Sequence, residues 1–211
     1  TADNKKGEEI TIDGDYCLVA VGRKAYTDKL GLENVGIATD DRGRVEVDAH
    51  LQTNVAGIYA IGDVIKGAML AHKAEEEGVF VAETMAGQKP HINYNLIPGV
   101  VYTWPEVAAV GATEEELKAD GKEYKVGQFP MKALGRARAS MDIQGFVKIL
   151  ANKKGVILGA SIVAPRAGEM IHELVLATQY RMKASKIEWT IHAFPTWSQA
   201  VRVAASKIKS S

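Results

Sequence analysis

The residues best suited to bind a ligand in this chain follow a short apolar run. Residues 58–61, Ile-Tyr-Ala-Ile, lie between Gly57 and Gly62 and predict a short buried strand. Asp63 comes directly after it, where open α/β sheets bind ligands beyond the ends of their strands. Gly62 lets a ligand approach the backbone closely, and the Asp63 carboxylate can accept hydrogen bonds from sugar-type hydroxyls. The sequence therefore predicts a ligand site at Gly62 and Asp63.

A helix predicted after this strand offers a second kind of binding group. The segment 69–72, Met-Leu-Ala-His, opens a predicted helix over 69–86, and Gly87 closes that helix as its C-cap. The first amides of a helix are unpaired donors and carry a partial positive charge, which favours an anionic group. Taken by itself, the segment also fits an ordinary amphipathic helix with His72 on the surface.

Both segments resemble a known family. Residues 53–64, Thr-Asn-Val-Ala-Gly-Ile-Tyr-Ala-Ile-Gly-Asp-Val, resemble the second flavin fingerprint of the pyridine nucleotide-disulfide oxidoreductases. The resemblance implies that Asp63 holds the ribityl chain of FAD and that the first helix amides point at the flavin ring. Residues 71–78, Ala-His-Lys-Ala-Glu-Glu-Glu-Gly, are more similar to the dihydrolipoamide dehydrogenase branch than to its relatives. The residues implied in cofactor binding are Gly62, Asp63, Met69, Leu70, Ala71 and His72.

Other features of a complete enzyme of this family are absent from the sequence. The single cysteine, Cys17, cannot form an intramolecular disulfide, so the family's redox-active cysteine pair is missing. No two glycines stand two positions apart, so the Gly-x-Gly-x-x-Gly loops that bind the FAD and NAD phosphates are missing too. We therefore expect the C-terminal portion of such a protein or a naturally short relative. The initial Thr1, in place of a methionine, favours a processed or trimmed chain.

The resemblance implies a fold class of α/β plus α+β, the C-terminal part of a flavoprotein with two dinucleotide-binding domains. Residues 1–23 are expected to be the tail of the NAD-binding domain, and residues 24–94 the second part of the FAD-binding domain. Residues 95–211 are expected to form the α+β interface, or dimerisation, domain, so the chain is expected to be a homodimer.

The local patterns before residue 94 predict strands and turns. Ile10 and Ile12 alternate with polar residues, as in a half-buried strand, and residues 16–21 predict a more buried strand. Cys17 is then expected to be a buried structural thiol. Residues 40–44, Asp-Asp-Arg-Gly-Arg, predict a turn between short strands.

The patterns after residue 94 predict a sheet with helices on one face. Thr113 and Glu116 form a capping box that opens a short helix, which Gly121 closes, and residues 152–155 predict a turn. An apolar helix is predicted over 168–180. The predicted strands are 97–103, at an edge of the sheet, then 124–129, 145–150 and 156–163.

The C-terminal segment departs from the family in its acid/base pair. The family pattern has a histidine directly before a Pro-Thr and a glutamate four residues after that proline; the histidine exchanges protons with the thiols of the partner subunit's site. Here these positions hold Phe194 and Gln199, and neither side chain can exchange a proton near neutral pH. His192 lies roughly 6–7 Å further back on an extended segment and is a weaker candidate base. The resemblance also implies a cis peptide bond before Pro195.

Composition narrows the classes of partner. Lys+Arg and Asp+Glu balance at 26 each, which gives no electrostatic case for nucleic acid or an anionic membrane. No run of 18 apolar residues predicts a membrane span, and the spacing of His50, His91 and His172 predicts no metal site. By analogy with the family, the compartment would be the mitochondrial matrix in a eukaryote and the cytoplasm in a bacterium.

Two functional hypotheses remain open at this point. In the first, the chain supplies part of the FAD site and the dimer interface of a dihydrolipoamide dehydrogenase-like flavoprotein that uses FAD and NAD; we expect it to be inactive alone. Its partners would be a second copy, the missing N-terminal half and a 2-oxo-acid dehydrogenase complex. In the second, it is a degenerate, non-catalytic dimerisation or scaffolding relative, or a member of a glutathione reductase-like branch. Phe194 and Gln199 favour the non-catalytic alternative, whereas the Gly62-Asp63 and 69–72 segments favour a flavoprotein.

Overall fold

A computed structural model of the protein describes residues 2–208. These residues form two compact units, the first ending at Ile92 and the second beginning at Asn93. Each unit has a hydrophobic core of its own: a small one around Val45, Leu51 and Ile65 in the first, and a large one in the second.

The first unit has little regular structure apart from one long helix. Strands β1 and β2 pair as an antiparallel hairpin. Single bridges, including Thr39 to Val45 and Gln52 to Tyr59, replace longer strand ladders in the rest of the unit. The elements of the first unit are β1 (Ala2–Asp3), β2 (Glu9–Ile10), 3-10 turns at Leu32–Val35 and Gly62–Val64, and helix α1 (Ala71–Met85).

Two of the predicted strands in this unit, 16–21 and 58–61, are wrong. Residues 58–61 are half-buried and pair only through the single bridge of Tyr59 to Gln52. Residues 16–21 form no strand, and their apolar side chains are exposed. Ile10 does lie in strand β2, but Ile10 and Ile12 are exposed and not half-buried as predicted. Cys17, predicted to be buried, is an exposed free thiol. A strand needs a neighbour for its backbone groups and cover for its side chains, and within residues 2–208 no segment pairs with 16–21.

The turn and the helix predicted in this unit are confirmed. The turn at 40–44 is closed by the Gly43 and Arg44 amides, which donate to the backbone and side-chain oxygens of Asp40. Helix α1 ends at Met85, and Gly87, at φ +77°, donates its amide to the Thr84 carbonyl. This left-handed glycine is the helix stop that the sequence predicted.

The second unit is a five-stranded antiparallel sheet in the order β3-β4-β7-β6-β5, with helices packed on it. The predicted α+β arrangement is confirmed, and β3 lies at an edge as expected. The capping box of Thr113 and Glu116 opens helix α2. Strand β4 and helices α3, α5 and α6 were not predicted. The elements are β3 (Gly99–Val101), β4 (Glu106–Gly111), α2 (Glu114–Ala119), β5 (Lys125–Pro130), α3 (Gly135–Ala139), β6 (Phe146–Ala151), β7 (Ile157–Ala164), α4 (Ala167–Gln179), α5 (Ala184–Trp189) and α6 (Gln199–Ser206), with 3-10 turns at Tyr94–Leu96 and Met131–Ala133.

One face of this sheet carries the core. Ala108, Ile162 and Val147 are cross-strand neighbours on β4, β7 and β6, and all three are fully buried. Helix α4 packs on β4 and β7, and helix α6 packs on β5 and β6. The approach of α6 requires Gly127 on β5, because a Cβ there would lie 2.3 Å from the Ala204 carbonyl oxygen. This packing fixes the start of α6, and with it the C-terminal segment that departs from the family.

Candidate functional site

The predicted flavin segment forms a tight turn against helix α1. Gly62 begins the 3-10 turn with φ +72°, a left-handed conformation that side chains other than glycine rarely adopt. The Val45 amide donates to the Val64 carbonyl at 2.8 Å and anchors the far end of the turn. A Cβ on Gly62 would lie 3.2 Å from the Ala74 side chain, so the turn sits directly on the first turns of α1.

Asp63 projects from this turn with its acceptor atoms available. The residue is half-buried, and within the part of the chain that the structure describes, no hydrogen bond or ion pair engages its carboxylate. Aspartates at turns usually bond a nearby amide, as Asp40 and Asp48 do in this same unit. The Asp63 carboxylate is therefore placed to accept hydrogen bonds from a ligand.

The start of helix α1 lacks the cap that most helices have. Its N-cap is Leu70, whose side chain offers no acceptor, and the first intrahelical bond of the backbone runs from the Ala74 amide to the Leu70 carbonyl. The first amides of a helix have no acceptor within the helix itself, and the Leu70 side chain supplies none for those of α1. Met69 and Leu70 are half-buried, whereas Ala71 and His72 are exposed at the surface of this unit.

Two buried charged residues that the sequence analysis missed lie behind this turn. Lys73 and Glu77 are fully buried on α1, and their side chains are 2.8 Å apart. They contact the backbone of Gly62. The only signal in the sequence was their i,i+4 spacing within a charged run, and that spacing is equally typical of a solvated helix face.

The segment that departs from the family connects α5 to α6 in the second unit. The Phe194–Pro195 peptide bond is cis, as predicted. The Phe194 side chain is 78 % exposed. Gln199 begins α6, and its Oε1 accepts the Thr196 amide at 3.3 Å. Gln199 therefore has a structural contact within the segment, and Phe194 presents an aromatic ring with no exchangeable proton.

His192, the weaker candidate base, is held by acceptors on both sides of its ring. Nε2 lies 2.9 Å from Oε1 of Glu173 on α4, and Nδ1 lies 2.9 Å from the Thr190 carbonyl oxygen. Only 8 % of its side chain is exposed. A base needs a free lone pair within reach of the proton that it accepts, and here each ring nitrogen already faces an oxygen of this chain. The geometry favours a structural role for His192.

Two family models match the chain. The model for the pyridine nucleotide-disulphide oxidoreductases matches residues 1–78, and the model for the dimerisation domain of the same proteins matches residues 97–205. The chain therefore belongs to the pyridine nucleotide-disulphide oxidoreductase family.

Within this family the chain is similar to dihydrolipoyl dehydrogenases. It is 52 % identical to dihydrolipoyl dehydrogenase of Cupriavidus necator over 203 residues, which cover 96 % of this chain and 43 % of that protein. It is 52 % identical over 200 residues to the mitochondrial dihydrolipoyl dehydrogenase 2 of Arabidopsis thaliana, covering 94 % of this chain and 39 % of that protein. The crystal structure of LpdA from Mycobacterium tuberculosis superposes with a TM-score of 0.89 at 30 % identity, over 98 % of this chain and 45 % of LpdA.

These similarities confirm the resemblance to dihydrolipoamide dehydrogenase and do not favour the scaffolding or glutathione reductase-like alternatives. The chain spans about two fifths of the length of the curated relatives that it matches. Across residues 2–208 no helix is long and apolar enough to cross a membrane, and no group of three or more His, Cys, Asp or Glu side chains is arranged to hold a metal ion.

Proposed function

We propose that this chain supplies the second part of the FAD site and the dimer interface of a dihydrolipoyl dehydrogenase-like flavoprotein. The observation that carries the proposal is the Asp63 carboxylate, which lies on a glycine turn packed against α1 and has no partner among the described residues. Asp63 would accept hydrogen bonds from the ribityl hydroxyls of FAD. The positive end of the α1 dipole, at the start of the helix, would face the flavin ring.

The residues present fit the ribityl chain and the flavin ring of FAD. The ribityl hydroxyls need acceptors, which the Asp63 carboxylate provides. A reduced flavin carries negative charge near its pyrimidine edge, which the positive end of the α1 dipole would stabilise. FAD would supply the redox chemistry of the whole protein. The backbone contacts to the FAD pyrophosphate would come from a glycine-rich loop that this sequence does not contain. We therefore expect this chain to bind FAD weakly when it is alone.

The domain assignment follows the same proposal. Residues 1–23 would close an NAD-binding domain, residues 24–94 would complete the FAD-binding domain, and residues 95–211 would form the interface domain. The homodimer would use the last of these, where exposed apolar side chains such as Leu176, Tyr180 and Trp189 lie on the dimerisation-domain fold.

The activity of the complete protein would be oxidation of dihydrolipoyl groups, with electrons passing through FAD to NAD. Its partners would be the missing N-terminal part and a 2-oxo-acid dehydrogenase complex. We place it in the mitochondrial matrix if the source is eukaryotic and in the cytoplasm if it is bacterial. Phe194 and Gln199 would make it slow at the step that moves a thiol proton, because neither side chain can act as the base.

The intact mass and the visible absorption spectrum of the protein purified from its source test the proposal together. We expect a polypeptide of about twice this chain's 22.8 kDa mass, or this chain bound to a second one, with the yellow absorption of a flavin. A colourless protein of this mass, with no bound partner, would contradict the proposal.

A further inference from the structure

A buried ion pair stands directly behind the turn that carries Asp63. Lys73 Nζ lies 2.8 Å from Oε1 of Glu77, one helical turn further along α1. The side chains are 1 % and 0 % exposed. Charged side chains are almost never buried this completely unless they have partners.

The same two side chains hold both polar backbone groups of one glycine. The Gly62 amide donates to Oε2 of Glu77 at 2.7 Å, and the Gly62 carbonyl accepts from Lys73 Nζ at 3.3 Å. One carboxylate oxygen therefore binds the lysine and the other binds the turn. Hydrogen bonds that involve a charged partner are shorter and roughly twice as strong as neutral ones.

This arrangement is a poor way to gain stability alone. Removing two charges from water costs much of what their attraction returns, and two apolar side chains would avoid that cost while leaving the Gly62 amide and carbonyl without these partners. The pair fixes the orientation of the peptide groups before and after Gly62. Because Asp63 is the next residue, the pair also sets the direction in which Asp63 leaves the turn. A left-handed glycine is otherwise the most freely rotating position in the turn.

We propose that Lys73 and Glu77 are positioning residues of the flavin site, which set the direction of the Asp63 carboxylate through the backbone of Gly62. The inference rests on the proposed function. In this proposal Lys73 and Glu77 do not contact FAD, and they affect FAD affinity only because they orient Asp63.

The test uses a hybrid in which this chain replaces the matching region of the Cupriavidus necator relative. The informative variant is Lys73→Met with Glu77→Leu, which is apolar, similar in volume and able to fold without the buried charges. Glu76→Gln is the matched control, since Glu76 is an exposed carboxylate on the same helix. Both are also made in an Asp63→Asn background. The readouts are the FAD dissociation constant and the midpoint of thermal unfolding of the apoprotein.

We expect the double variant to remain folded, since relief of the buried charges offsets the loss of two hydrogen bonds to Gly62, yet to bind FAD about tenfold to a hundredfold more weakly, as for loss of a charged hydrogen bond. The Glu76→Gln control should bind normally. In the Asp63→Asn background the double change should add less than about threefold, because residues that act through one group are not additive.

Two results would overturn the assignment while leaving the proposed function standing: an unchanged FAD affinity in the double variant, or an equal loss with and without Asp63. A third result is different in kind. If the unaltered hybrid folds but binds no FAD, the proposed function fails, and the assignment of Lys73 and Glu77 fails with it.

Discussion

Restoring the family's acid/base pair should convert a slow enzyme into a fast one. The change is Phe194→His with Gln199→Glu in the same hybrid. The structure indicates that the fold will tolerate it, because the Phe194 side chain is largely exposed and a glutamate at 199 can accept the Thr196 amide as Gln199 Oε1 does. Surface changes of this kind usually alter the free energy of unfolding by less than about 0.5 kcal/mol.

The gain in the rate of dihydrolipoamide oxidation should be large compared with this small change in stability. General acid–base catalysis is worth about 10²–10⁴-fold. At about 1.36 kcal/mol per factor of ten, that range corresponds to about 2.7–5.4 kcal/mol of activation free energy. His192 should not mask the gain, because both of its ring nitrogens already face the oxygens of Glu173 and Thr190.

The assay compares two activities of each hybrid. Dihydrolipoamide oxidation with NAD needs the thiol proton to move, whereas transfer from NADH to an artificial dye does not. We expect the first activity to rise by two to four orders of magnitude and the second to stay constant. Phe194→Leu with Gln199→Glu, which adds the carboxylate without the imidazole, is the control and should show no gain. If dihydrolipoamide turnover is unchanged by the histidine while the dye activity is constant, proton transfer at this position is not limiting, and the interpretation of the segment as an altered pair is wrong.

Three further predictions concern the chain itself. It should sediment as a homodimer, because Leu176 on α4 and Tyr180 directly after this helix leave apolar surface exposed, and a monomer at micromolar concentration would rule this out. It should bind free FAD weakly, so a submicromolar dissociation constant in a flavin-fluorescence titration would show that the missing phosphate loop is dispensable. The hydrogen bond from the Arg44 side chain lowers the pKa of Asp40 to about 2. The stability that this contact adds to the 40–44 turn should therefore be complete above about pH 4, the ordinary pKa of the group, and be lost as the pH falls through about 2. Carbon NMR of the Asp40 carboxyl should show this low pKa, and Arg44→Met should raise it.

The elements that the sequence predicted well are those whose signals are local. The capping box of Thr113 and Glu116, the stop at Gly87 and the apolar face of α4 each depend on residues within one or two turns. Strand β4 was missed because Ala108 and Ala109 are weak strand formers, and only its neighbours β3 and β7 make it a strand. Helix α6 did show a signal, since its buried alanines and Val201 recur at helical spacing, but the segment was interpreted only as a motif.

The predictions that failed depend on contacts that sequence patterns do not specify. Residues 16–21 have the apolar composition of a buried strand, yet no described segment covers them, and Cys17 is exposed as a result. Lys73 and Glu77 have the spacing of a surface ion pair, and only the fold shows that both point inward to Gly62. The position of Asp63 directly after Gly62 is local and could be predicted from the sequence, whereas the packing of this turn on α1 and the absence of a strand at 58–61 depend on the fold.

The most direct test of the central claim is the flavin content of the hybrid with and without the Asp63 carboxylate. Purified hybrid should contain one FAD per chain by its absorption spectrum, and Asp63→Ala should lose most of it on dialysis while remaining folded and dimeric. Asp48→Ala, which removes an aspartate that caps its own turn in the same unit, should keep its flavin. Full flavin content in the Asp63→Ala hybrid would show that this turn does not bind the cofactor and would contradict the proposed function of the chain.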